Sequence, residues 1–268
     1  MSPAARTLVL VALAALLAGC AGGAALNPVE PTIRLAVDDA TAPLAESLLN
    51  SYETLHPGAL LSLIPTSREG ALHAVETGRA DAALVLHPVE GEALFHTPIA
   101  QEMLVLVGHP DLPVDGLNRV DARAIFTGQV RGWPAPDGLP PQRIEVVVPE
   151  AGTSTRLAFD TLVLSGAPVT GSARVAASGE HAAQIVAQTP GAVGIASGEA
   201  QPPDIKPLAY EDVEPTRENA RNNTYRLVTS VEFVAGADPQ GALRSFLDWV
   251  LSEDGQSVVR RHMLAVNE

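Results

Sequence analysis

Cysteine, cationic side chains and long apolar runs are all scarce in this chain of 268 residues. The single cysteine, Cys20, excludes an intramolecular disulfide. Lysine and arginine total 17 against 31 aspartates and glutamates, which gives a formal net charge of −14. A chain this acidic is a poor candidate for binding nucleic acid or anionic lipid headgroups. Because long-range attraction would not draw in an anion, any anion site must rely on local hydrogen-bond donors.

Motifs for catalysis and metal binding are missing as well. The seven histidines show no HExxH or other metal-ligand spacing. Ser154 has no GxSxG elbow around it, which argues against a serine hydrolase. No internal repeat of fixed period is present. We therefore expect no metal, no cofactor and no enzymatic activity.

The N-terminus has the pattern of a signal peptide. An apolar run from Leu8 to Ala18 follows Arg6, and it is shorter than the roughly 20 residues that a membrane-spanning helix needs. The run ends in Leu17-Ala18-Gly19-Cys20, which resembles a bacterial lipobox and implies that Cys20 is lipidated. A chance cysteine after a plain signal peptide is the alternative. We expect a lipoprotein signal peptide over 1–19, a flexible tether over 20–31 and an anchor on the extracytoplasmic side of the cell membrane.

Apolar periodicity predicts a β-α-β-α-β order for the first third of the mature chain. Strands are predicted at 32–37, 59–64 and 81–86, and the last is continuously apolar, as in a buried parallel sheet. The remaining predictions are strands at 103–108, 192–196 and 225–233, helices at 120–126, 180–188, 243–251 and 256–263, and an irregular polar segment at 202–223. This alternation places the chain in the α/β class.

The stretch Val146–Phe159 carries the strongest functional pattern. A β-branched strand leads through Gly152 into hydroxyl-bearing residues and the first turn of a helix. Gly152 permits a left-handed backbone, and Thr153 or Ser154 is a good helix N-cap. Free N–H groups at a helix N-terminus favour an anion, and hydroxyls add donors. An ordinary capped turn is the alternative that this stretch leaves open.

Several segments, in this order and spacing, resemble the phosphate-binding lipoproteins of phosphate ABC transporters and their superfamily of type II periplasmic binding proteins. The segments are Pro98–Val107, Ile125–Trp133, Gly152–Phe159, Thr189–Gly194 and Ser252–Gln256. The resemblance spans Thr32 to Val266 and implies two α/β lobes, each a mixed sheet flanked by helices, with the ligand in the cleft between them. It implies binding without catalysis, hinge closure on the ligand, delivery to an ABC permease, and a monomer.

Domain boundaries follow from the same resemblance. The first lobe would comprise 32–103 and 225–268, the second lobe 104–207, and the crossover or hinge region 208–224. Trp133 lies in a Pro/Gly-rich loop of the second lobe, where we expect it to pack within the loop; a stacking platform for a ligand is the alternative.

The resemblance also implies which side chains contact the anion. Positions that match the family's hydroxyl donors are Thr41, Ser67, Thr153, Ser154 and Thr155, and Arg156 is a further candidate. Three loops at helix N-termini would then converge on one cleft. The ordinary interpretation of Thr41 and Ser67 is a helix cap, and that of Arg156 is an ion pair.

Two positions depart from the family pattern. The family's phosphate-binding arginine falls on Pro149, and its acceptor carboxylate falls on Leu86. Arg156 and His87 could replace these groups, although His87 is more typical of a structural histidine. The predicted ligand is therefore an oxyanion with phosphate as the first candidate. Tungstate, molybdate or a small organic acid is the alternative, as is a sensory or assembly lipoprotein with a degenerate cleft.

Overall fold

The computed structural model describes residues 33–89, 93–198 and 202–266. The predicted signal peptide, the lipobox cysteine Cys20 and the tether lie outside these ranges. Within them, no helix combines the length and the apolar character needed to cross a membrane.

Strands and helices alternate along the described chain. The strands are β1 (Ile33–Val37), β2 (Leu61–Pro65), β3 (Ala82–Leu86), β4 (Phe95–Gly108), β5 (Gly116–Leu117), β6 (Glu145–Pro149), β7 (Arg174–Ala176), β8 (Ala192–Ser197), β9 (Lys206–Pro207), β10 (Ala209–Tyr210), β11 (Val228–Ala235) and β12 (Leu264–Ala265). The α-helices are α1 (Ala42–Leu55), α2 (Arg68–Glu76), α3 (Arg119–Phe126), α4 (Ser154–Phe159), α5 (Gly179–Ala187), α6 (Arg217–Arg221), α7 (Gly241–Leu251) and α8 (Glu253–Val259).

One long strand, β4, connects the two halves of the main sheet. The strand order is β2-β1-β3-β11-β4-β8-β6-β7. Residues Phe95–Met103 of β4 pair antiparallel with β11, and Leu104–Gly108 pair antiparallel with β8. We call β2, β1, β3 and β11 the first half-sheet, and β8, β6 and β7 the second. The change of partner falls at the predicted lobe boundary; the boundaries themselves stay a prediction.

Buried faces explain why the elements form where they do. Strand β3 is buried at all five positions, which fits its unbroken apolar sequence. Helix α1 buries Leu44, Leu48 and Tyr52 on one face, and the Tyr52 ring meets Phe246 of α7 edge to face with centroids 5.1 Å apart. Trp133 packs as predicted: it is buried, and its Nε1 donates to the carbonyl oxygen of Gly191 over 2.9 Å.

Two expectations from the sequence were wrong. Strand β4 begins at Phe95 and not at 103, because its first residues alternate between half-buried and exposed and so do not form an apolar run. The segment 202–223 is not irregular throughout: it contains β9, β10 and α6. In addition, the helix that begins at Ser154 is α-helical only to Phe159 and continues as a π-helical turn over Asp160–Leu164.

Candidate ligand-binding site

Helix α4, which begins with the hydroxyl-bearing residues Ser154 and Thr155, contacts both half-sheets. It contacts β6 and β8 and also β3. The hydroxyl of Ser154, the first residue of α4, donates to Oδ2 of Asp38, which follows β1. Both side chains are buried. The two halves of the fold therefore meet through a hydroxyl and a carboxylate.

Asp38 is held by donors from several elements. Its Oδ1 accepts from the backbone N–H and from the hydroxyl of Thr41, each over 3.0 Å. Burial raises the pKa of the Asp38 carboxyl, and the hydrogen bonds from Ser154, Thr41 and the backbone of Leu86 oppose that shift. The pKa of the neighbouring Asp39 is also raised, first by burial and then by the charge of Asp38.

Thr41 fixes the turn between β1 and α1. Its side chain is fully buried, and its hydroxyl lies 2.8 Å from the carbonyl oxygen of Leu84 and 3.0 Å from Oδ1 of Asp38. It precedes α1 without making a side-chain cap bond. The hydroxyl is thus engaged within the protein, beside the carboxylate of Asp38.

Three other predicted ligand residues are engaged locally. Ser67 caps α2, with its hydroxyl oxygen accepting from the Gly70 N–H over 3.1 Å. Thr153 caps α4 by accepting from the Arg156 N–H over 3.3 Å. The Arg156 guanidinium pairs with Asp160, Nε to Oδ1 over 2.8 Å, and its Nη1 donates to the carbonyl of Pro149 over 3.2 Å. Their roles as ligand contacts stay predictions.

Neither of the two positions that depart from the family pattern, Pro149 and Leu86, carries a charged side chain. The Leu86 side chain is fully buried in the apolar core. His87 has a left-handed backbone, φ 76°, and its Nδ1 lies 3.0 Å from the hydroxyl of Thr229 on β11. The His87 side chain therefore links the end of β3 to the neighbouring strand β11 through this contact.

A cavity of about 490 Å³ lies beside the Asp38–Ser154 contact. Its described lining residues are Asp39, Ala40, Pro43, Leu44, Glu102, Thr155, Ser178, Gly179, Glu180, Ser197, Arg261, His262 and Met263. Of the predicted hydroxyl donors, Thr155 belongs to this lining. It is only 3% exposed, and within the described ranges no side chain or backbone group forms a hydrogen bond with its hydroxyl.

Helix α5 begins at the same cavity. A Cβ placed on Gly179 would lie 3.3 Å from Cγ2 and 3.7 Å from Oγ1 of Thr155, so the hydroxyl lies against the first turn of α5. Ser178 caps this helix by accepting from the His181 N–H over 3.1 Å. The first N–H groups of a helix have no partner inside it. The cavity thus combines the hydroxyl of Thr155 with the positive end of a nine-residue helix.

Glu102 supplies a buried carboxylate to the cavity. It lies on β4, is 2% exposed, and accepts from the Gly198 N–H over 3.1 Å and from the Ser197 hydroxyl. Burial raises the pKa of Glu102 to about 7, against the opposing effects of Ser197, Gly198 and the charge of Arg217. Burial and the adjacent Arg261 lower the pKa of His262.

A larger cavity of about 820 Å³ lies elsewhere, between β5 and the segment after β9. Its lining includes the carboxylates of Asp115, Asp121, Asp212 and Glu214 and none of the predicted hydroxyl donors. We therefore place the candidate site in the smaller cavity. In the described residues, no group of three or more His, Cys, Asp or Glu side chains is placed to hold a metal ion.

The structure brings Thr41 and Ser154 together at Asp38. Of the six predicted ligand residues, Thr155 alone belongs to the described cavity lining, and Thr41, Ser67, Thr153, Ser154 and Arg156 do not. Sequence reasoning missed Asp38 and Glu102. Asp38 could have been found, because ligands of α/β sheets lie beyond the carboxyl ends of strands and Asp38 directly follows β1. Glu102 could not, because its part of β4 was not predicted.

The sequence matches the family model of the PBP superfamily domain over residues 22–254. It is 26% identical over 189 residues to the phosphate-binding protein PstS of Bacillus subtilis (strain 168), over 69% of this chain and 62% of that protein. It is 34% identical over 113 residues to the probable hydrogen peroxide-inducible genes activator of Mycobacterium xenopi, over 42% of this chain and 59% of that protein. The chain thus spans less than two thirds of either relative.

Solved structures resemble the whole described fold. A phosphate ABC transporter substrate-binding protein from Clostridium perfringens, with bound phosphate, has a TM-score of 0.79 at 23% identity, covering 88% of this chain and 100% of that one. An ABC-type phosphate transport receptor from Vibrio cholerae has a TM-score of 0.77 at 22% identity, covering 87% and 99%. At these identities the likeness shows the fold, and it confirms the predicted α/β class with two lobes and a cleft between them.

Proposed function

The chain belongs to the PBP superfamily, and from this membership we propose that it is a solute-binding protein that captures an oxyanion, with phosphate as the first candidate, between its lobes. We further propose that Cys20 anchors it to the extracytoplasmic face of the membrane and that it delivers the solute to the permease of an ABC importer. The phosphate-binding proteins among its relatives support this proposal.

The hydroxyl of Thr155 is the observation that carries the proposal. Thr155 lines the cavity, and its hydroxyl forms no hydrogen bond with another group of the described protein, so its proton is available to a ligand. An oxyanion oxygen would accept from this hydroxyl and from the first N–H groups of α5, which carry the positive end of the helix dipole. Neutral donors of this kind suit a protein whose net charge repels anions.

The carboxylates of the cavity favour a protonated oxyanion. Asp39 and Glu102 line it, and each could accept a hydrogen bond from a protonated oxygen of the ligand. Phosphate retains a proton at neutral pH, whereas sulfate does not and would be repelled. These carboxylates could replace the family's acceptor carboxylate, whose position is Leu86 in this chain. Arg261 could replace the family's phosphate-binding arginine, whose position is Pro149.

Calorimetric titration tests this proposal. We would titrate the full chain in mild detergent, stripped of ligand, with phosphate, sulfate and tungstate. We expect micromolar phosphate binding with sulfate silent, and a loss of roughly tenfold or more in Thr155→Val, which removes one hydrogen bond to a charged group. Thr161→Val, which deletes an exposed hydroxyl that donates to the Leu157 carbonyl, is the matched control. No heat with any of the three anions, or unchanged affinity in Thr155→Val, would contradict it.

A further inference from the structure

The cavity is larger than an inorganic oxyanion requires. A water molecule takes about 30 Å³ in the liquid, and a tetrahedral oxyanion fills a small multiple of that volume. The cavity of about 490 Å³ falls instead in the range of sites for small organic ligands, roughly 300–1,000 Å³. Phosphate bound at Thr155 would leave most of this space to water.

The cavity is chemically divided. At Thr155 and the first turn of α5 it presents hydroxyl and N–H donors, as described above. Pro43, which is exposed, and Met263, which is 6% exposed, add apolar surface. A hydrated inorganic ion that contacts such surface adds nothing to the binding free energy. Carbon atoms of a ligand that cover it add about 25 cal/mol per Å² of apolar surface buried.

The remaining polar groups are mainly acceptors. Asp39, Glu102 and Glu180 bring three carboxyl groups to the lining, against one arginine, Arg261, among the described lining residues. The Glu180 side chain accepts from Gln184 over 3.3 Å. One oxygen of Glu102, Oε1, takes both the Ser197 hydroxyl and the Gly198 N–H. A ligand donor placed near Glu102 or Asp39 would form a charge-assisted hydrogen bond.

We propose that the solute is an oxyanion carried on a short organic body that ends in a hydrogen-bond donor, a hydroxyl or a protonated amine. The oxyanion binds at Thr155 and the N-terminus of α5, the carbon atoms contact Pro43 and Met263, and the donor reaches Glu102 or Asp39. This inference rests on the proposed function, since it names the substrate class of the same site.

A matched series of phosphate monoesters tests the inference. We would titrate the full chain in detergent with inorganic phosphate, ethyl phosphate, 2-hydroxyethyl phosphate and 2-aminoethyl phosphate, of which the three esters differ only at the terminal group. We expect the hydroxyl or amine ester to bind about tenfold or more tighter than both ethyl phosphate and inorganic phosphate. A preference for the amine identifies a cationic donor, and a preference for the hydroxyl identifies a neutral one.

Two isosteric variants locate the contacts. Glu102→Gln should reduce the advantage of the donor-bearing ester over ethyl phosphate, and Thr155→Val should weaken all four ligands by a similar factor. Asp39→Asn, at the other carboxylate named as an acceptor for the donor, repeats the first test should Glu102→Gln not fold. Tightest binding of inorganic phosphate, or equal binding of the three esters, would overturn this inference and leave the proposed function intact. Binding of none of the four would overturn both.

Discussion

The hydroxyl of Ser154 donates to the carboxylate of Asp38, although the two residues are 116 positions apart in the chain. The bond links the turn after β1 to the start of α4, and both groups are shielded from water. Asp38 is an anion of the protein itself, held by hydroxyl and N–H donors of the kind that an oxyanion ligand would use.

Ser154→Ala should therefore destabilise the fold. Removing the hydroxyl leaves a buried carboxylate short of a donor, at a cost of about 1–3 kcal/mol in the free energy of unfolding. Urea unfolding at neutral pH measures this. Ser245→Ala, which deletes the exposed helical hydroxyl that donates to the Gly241 carbonyl, should change stability by less than about 0.5 kcal/mol. Equal effects of the two substitutions would contradict a special role for the Asp38–Ser154 bond.

Thr153 and Thr155 should respond in opposite ways to loss of the hydroxyl. Thr153→Ala removes the cap of α4 and should cost about 1 kcal/mol of stability, with little change in phosphate affinity. Thr155→Val should weaken phosphate binding and leave stability nearly unchanged, because its hydroxyl has no partner in the described protein. Urea unfolding and calorimetry on both variants decide this. A strong loss of affinity in Thr153→Ala would place the capping residue in the site.

Glu102→Gln should flatten the dependence of stability on pH. Burial raises the pKa of Glu102 from 4.5 to about 7 in the folded protein, so the folded state binds the proton more tightly than the unfolded chain. The stabilising contribution is fully present below pH 4.5 and is lost as the pH rises through about 7. This loss amounts to about 3 kcal/mol for a shift of this size.

The difference between wild type and Glu102→Gln isolates this carboxyl. The raised pKa values of Asp38 and Asp39 bend both stability curves in the same direction. Urea midpoints at pH 4, 5.5, 7 and 8 would show the effect. Parallel curves for the two proteins would mean that Glu102 titrates alike in the folded and unfolded states.

Arg156→Met should act on stability more than on binding. It removes the ion pair with Asp160 and the donation to the Pro149 carbonyl, while it keeps an apolar side chain of similar length. Because the Arg156 side chain is 13% and that of Asp160 is 34% exposed, we expect a loss of about 1 kcal/mol. Phosphate affinity should fall much less than in Thr155→Val, and a larger fall would restore Arg156 as a ligand contact.

Local patterns predicted much of the fold. The unbroken apolar run of β3, the β-α-β-α-β order of the first third and the cap at Thr153 each depend on residues a few positions apart. Strand β4 was mispredicted at its start because residues such as Thr97 and Pro98 interrupt the apolar pattern, and its pairing with β11 supplies the stabilisation that its own sequence does not show.

The sequence by itself determined the α/β class, the cap at Thr153 and the concentration of hydroxyls around it, because hydrophobic periodicity and capping act between near neighbours in the chain. The tertiary structure decided which hydroxyl faces the cavity and which carboxylates surround it. Thr153, Ser154 and Thr155 are adjacent and chemically alike. Their separate roles as cap, partner of Asp38 and cavity donor follow from the turn of the helix and from its packing against β3, β6 and β8.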